Sequence, residues 1–91
     1  MYKLDEIALS LSQTSDPRLV ERFLSSILTP AEIREISSRW ALVQLLDQGV
    51  SQRQVAKKLG LSLCKITRGS RELKKRNSAF KQMIDQYKKI S

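Results

Sequence analysis

Leu19, Val20, Phe23, Leu24, Ile27 and Leu28 recur at intervals of three and four residues, the spacing of one face of a helix. A face that apolar is expected to be buried. Asp16-Pro17 marks its start, with aspartate as the N-cap and proline at the first helical position, where a missing N–H costs nothing. Thr29-Pro30-Ala31-Glu32 repeats the device as a capping box and opens a longer helix reaching about residue 48. The stripe of this helix includes Ile33, Ile36, Trp40, Val43 and Leu46, and Gly49 supplies a left-handed stop. Ahead of both, Leu4, Ile7, Ala8 and Leu11 predict a weakly capped helix over roughly 2–14. Phe80, Met83, Ile84 and Tyr87 predict a last helix. No strand-like alternation of useful length occurs. The expectation is an all-α chain of about six helices, with residues 1–91 forming a single domain.

Between the long helix and the last one lies SQRQVAKKLGLSLCKITR, residues 51–68, in which a short helix ends at a glycine and another begins three residues later. Ser51 and Gln54 form the capping pair of the first helix, and Val55 and Leu59 face inward. Ala56 sits where a crossing helix leaves no room for a large side chain. Gly60 makes the turn, Leu61 plugs the angle, and Ser62 caps the second helix, whose Leu63 and Ile66 are expected to pack back onto the first. A small residue, glycine four positions later and an apolar residue six beyond that are the pattern of a helix-turn-helix, here spanning about 52–74.

Charge changes the picture because it is unevenly spread. Residues 1–49 carry five Lys or Arg against seven Asp or Glu, net −2, whereas residues 50–91 carry twelve against two, net +10. A basic half suits a polyanion, since each phosphate neutralised by Lys or Arg releases condensed counterions. The chain has no histidine, which removes the usual general base and zinc ligand, so neither an enzyme nor a metal site is expected. The single cysteine, Cys64, cannot form an internal disulfide, and neither a signal-peptide core nor a stretch able to span a membrane is visible. The reading is a soluble cytoplasmic protein without membrane partners. At 91 residues, a chain this small buries only roughly 60% of its unfolded surface, so a second subunit would help cover its apolar stripes.

Leu28-Thr29-Pro30, Ser38-Arg39, Ser51-Gln52-Arg53 and above all Ile66-Thr67-Arg68-Gly69-Ser70 with Leu73-Lys74 resemble the tryptophan repressor family over roughly residues 22–90. The resemblance implies an intertwined homodimer whose corepressor, L-tryptophan, positions two reading heads on a palindromic DNA operator. It implies a ligand site in which Arg39 lies against one face of the indole while Arg68 holds the carboxylate and covers the other. Thr29 adds a hydroxyl to the carboxylate, Leu28 lines the site, and Gly69 leaves room beside the ring. A guanidinium suits both tasks, because it stacks on aromatic rings and forks onto carboxylates. For DNA, the family pattern points to Gln52 and Arg53 at the start of the first helix of the motif, and to Leu63, Cys64, Lys65 and Thr67 on the second. Lys74 is directed toward phosphate. Arg53 is the candidate for a bidentate contact to guanine.

Two positions depart from the family pattern. Ser26 replaces a larger apolar residue on the side facing the partner, and Glu72 stands where a small side chain is usual near the ligand's ammonium group. Glu72 lies four residues after Arg68, so it can pair with that arginine and draw it from a ligand, or accept the ammonium group itself. Two rival readings stay open: a ligand-independent DNA-binding module of the same fold, and a basic interaction protein that binds RNA or an acidic partner.

Overall fold

The computed structural model describes residues 3–91 and contains six helices: α1 (Leu4–Ser12), α2 (Pro17–Ile27), α3 (Pro30–Asp47), α4 (Gln52–Leu59), α5 (Leu63–Lys74) and α6 (Ala79–Ile90). No strand occurs among the described residues. The expected start of the first helix at residue 2 lies outside them. The chain divides into two compact units, one up to Glu35 and one from Ile36 to Ser91.

In the first unit the caps follow the local chemistry read from the sequence. Asp16 accepts a hydrogen bond from the Arg18 amide at 3.0 Å, with Pro17 opening α2. The Thr29 amide donates to Glu32 Oε1 at 2.8 Å and the Glu32 amide donates to Thr29 Oγ1 at 3.1 Å, a reciprocal capping box. α1 has no side-chain cap. Burial departs from expectation, because no residue of α1 or α2 is buried within this chain, and Leu4, Leu9, Leu19 and Ile27 are exposed. An amphipathic face is only an offer of burial, and here it is taken up in part: Ile7, Leu11, Val20, Phe23 and Leu24 are half-buried. Leu11, Leu19, Val20 and Phe23 line an apolar depression on this unit.

The second unit holds the core: Leu42 and Val43 from α3, Val55 from α4, Ile66 from α5 and Ile84 from α6. Each such enclosed side chain contributes about 1.5–3 kcal/mol relative to exposure. Ile36, expected on the buried stripe of α3, is exposed, and Leu42 takes a core place that the stripe does not single out. From Trp40 to Leu46 α3 is apolar on most of its circumference, so periodicity alone could not choose the inner face. Gly60 ends α4 in the left-handed conformation at φ 65°, and Ser51 and Ser62 cap α4 and α5 through the Gln54 and Lys65 amides.

α6 docks onto α3 by two devices. The Trp40 ring stacks on Phe80 at 5.8 Å and meets Tyr87 edge-on at 6.2 Å. At the end of α3, where a helix dipole disfavours an anion, the Asp47 side chain is only 6% exposed and pairs with Lys81 at 2.7 Å and with Lys88. Hydrogen bonds from Lys81 and then Lys88 hold the Asp47 carboxyl below the ordinary aspartate value of 3.8. The folded-state value lies below the unfolded one, so this stabilisation is present above about pH 3.8 and is lost as the pH falls through the folded-state value. Acid unfolding monitored by Trp40 fluorescence is therefore expected to be less steep in Asp47→Asn than in the wild type. Identical acid limbs would remove Asp47 as their source.

Candidate nucleic-acid interface

α4 and α5 bring most of the residues expected at DNA to the surface of one unit. Val55 and Ile66 are fully buried, and Ala56, Leu59 and Leu61 pack against the same core, which fixes the angle between the helices. What remains outward is mostly polar or basic: Arg53, Lys57 and Lys58 are exposed on α4, as are Lys65, Thr67, Arg68 and Lys74 on α5, with the Cys64 thiol beside them. Gln52, at the first position of α4, is half-buried.

Leu63 requires a correction. The sequence pattern places it on the inner face with Ile66, yet it is 54% exposed whereas Ile66 is enclosed. The two are three residues apart, about 60° from eclipsed on a helix, so Ile66 can be enclosed while Leu63, at the first position of α5, stays in water. Leu63 thus belongs with the outward residues.

Sequence reasoning passes over Arg71. It is exposed on α5, four residues after Thr67 and three before Lys74, so the three share one side of the helix. Helical spacing from Thr67 is the signal that could have found it.

The residues expected at the ligand are distributed over the two units. Leu28 and Thr29 belong to the first, and Arg39, Arg68, Gly69 and Glu72 to the second. Thr29 uses its hydroxyl oxygen to accept the Glu32 amide, which leaves the O–H free to donate elsewhere. Arg39 is exposed on α3 and Arg68 on α5. Glu72 does not take Arg68: its carboxylate pairs with Lys75 at 2.9 Å, and among the described residues Arg68 has no ion pair. Gly69 has a packing reason of its own. A Cβ there would stand 2.3 Å from Leu42 Cδ1 and 3.4 Å from Val43 Cγ2, so glycine lets α5 lie close against α3. Ser26 turns its hydroxyl back onto the Phe23 carbonyl of its own helix at 2.8 Å.

Two short helices joined through a left-handed glycine, buried on one side and cationic on the other, define a helix-turn-helix DNA-binding protein. The chain belongs to the Trp repressor family, whose family model, described as Trp repressor protein, matches residues 2–88. Relatives named Trp operon repressor homolog include one from Chlamydia caviae, 36% identical over 80% of this chain and 73% of its own length. Others are from Xylella fastidiosa, 39% identical over 81% of this chain and 78% of its own, and Vibrio cholerae, 40% identical over 72% and 65%. No solved structure matches. The family is one of DNA-binding regulators and not of enzymes, and the chain is a repressor of that family. No helix among the described residues is long and apolar enough to cross a membrane.

Proposed function

We propose that this repressor acts in the cytoplasm as a homodimer, binds a palindromic operator and responds to L-tryptophan, with residues 1–91 serving as one DNA-binding and dimerisation domain. The observation that carries the reading is the outward face of α4 and α5, where the exposed cations Arg53, Lys57, Lys58 and Lys74 flank polar groups able to meet base edges. Gln52, Arg53, Leu63, Cys64, Lys65 and Thr67 face the bases, and Lys74 meets phosphate. Support for a second copy comes from the uncovered apolar residues of α1 and α2, which a partner chain of the same kind would enclose.

For the ligand, Arg68 is an exposed guanidinium whose one nearby acid on the same helix is engaged with Lys75. It is therefore available to fork onto a carboxylate, with Arg39 stacking on the indole and Glu72 able to exchange Lys75 for an ammonium group; Leu28 and Thr29, in the first unit, are ligand residues on the resemblance to the family alone. Tryptophan acts as corepressor only if it favours the DNA-binding arrangement, since a ligand with equal affinity for both arrangements shifts nothing.

The test is titration of operator and random duplexes with and without L-tryptophan, reading affinity and the number of chains per duplex. Two chains per operator and a tryptophan-dependent gain are expected; operator binding indifferent to tryptophan would leave a ligand-independent module. In the same assay Arg53→Ala is expected to cost about 1–3 kcal/mol per half-site of discrimination between operator and random DNA. Lys74→Ala is expected to weaken both duplexes and reduce the salt slope by about 1.8, one phosphate contact being lost from each of the two chains. Equal losses on both duplexes for both variants would overturn the division into base reader and phosphate contact.

A further inference from the structure

We infer that the first turn of α5 reads the 5-methyl group of thymine, with Leu63 making the contact; this rests on the DNA-binding reading above. A single exposed leucine is ordinary on a protein surface. Its position here is what matters. Leu63 is the first residue of α5, held there by the Ser62 cap, and it stands 54% exposed on the helix that the glycine turn delivers beside α4. At 100° per residue, Leu63, Thr67 and Lys74 fall within about 40° of one another, so one stripe runs from an apolar tip through a methyl-bearing hydroxyl to a cation. Cys64, beside Leu63, is an exposed thiol that behaves as a small apolar group, and no acidic residue lies in this turn.

The occupant follows from the surroundings. Exposed cations on the same two helices, Arg53, Lys57, Lys58, Arg68 and Arg71, oppose the close approach of a second copy of this face and favour a polyanion. Leucine has no donor or acceptor to offer a base edge. The one apolar group that a base presents in the major groove is the thymine methyl, so a leucine aimed there discriminates thymine from the other bases through that methyl alone. Arg53 and Thr67 supply the hydrogen-bonding part of the readout, and Leu63 adds a position where the preferred base is thymine.

The experiment selects duplexes from a random pool with the full chain, then replaces each thymine of the selected half-site singly by deoxyuridine, which deletes the methyl and leaves the pairing. One or two positions are expected to lose affinity by about fourfold each, the value of one buried methyl group. With Leu63→Ala, thymine and deoxyuridine are expected to bind alike at those positions, with α-helical circular dichroism and sedimentation unchanged. Tolerance of deoxyuridine at every position, in wild-type protein, overturns the inference while leaving DNA binding intact. So does a thymine preference that survives Leu63→Ala, or a Leu63→Ala variant whose defect is in self-association. Should Leu63→Ala not fold, Leu63→Ser provides the same comparison and the wild-type deoxyuridine series decides by itself. Failure to select any duplex overturns both this inference and the DNA-binding reading.

Discussion

Ile66→Ala is expected to cost about 2–5 kcal/mol, because it empties a fully enclosed site in the core shared by α3, α4, α5 and α6, which the surrounding side chains would refill only partly. For a chain of this size that corresponds to a fall in Tm of more than about 10 °C, a large share of the stability a small domain possesses. Leu63→Ala is the control: the side chain is mostly in water, and its loss is expected to change Tm by no more than a few degrees. Thermal unfolding followed by circular dichroism separates the two. Equal losses would mean that Leu63 is buried in solution, and would remove it from the DNA-facing surface.

Arg68→Ala is expected to lower tryptophan affinity by about tenfold to a hundredfold, the range for losing charge-assisted hydrogen bonds to a carboxylate. The weak DNA binding that remains without tryptophan should fall much less. Glu72→Ser sharpens the assignment. Since Glu72 is bonded to Lys75 and not to Arg68, removing it frees no guanidinium, and tighter tryptophan binding is not expected. An exposed pair of this kind is worth about 0.3–0.5 kcal/mol, small enough for the carboxylate to exchange Lys75 for the ligand's ammonium group. Isothermal titration that finds Glu72→Ser binding more tightly would show that Glu72 does hold Arg68 in solution. Weaker binding would place it at the ammonium group.

What the sequence by itself determined is what local chemistry decides. Asp16 before Pro17, Thr29 with Glu32, Ser51 and Ser62 each announced a helix start, and Gly60 announced a stop, because a cap is a hydrogen bond between residues two or three apart and a left-handed turn is a property of one residue. The helix-turn-helix was legible for the same reason, and the change of charge at residue 50 pointed to a polyanion because net charge is a sum over residues that no folding alters. The tertiary structure decided which apolar residues are enclosed and which ions meet. Leu42 is core and Leu63 is not, although Leu63 sits three residues from the enclosed Ile66, since burial depends on elements far apart in the chain. Asp47 meets Lys81 and Lys88 across 34 and 41 residues, a pairing no short-range spacing could announce. Gly69 is glycine where α5 lies against Leu42, and Glu72 chooses Lys75 over Arg68 although both are within about one helical turn. Periodicity names the face of a helix that can be buried; only the packing of other helices, or of another chain, decides whether it is.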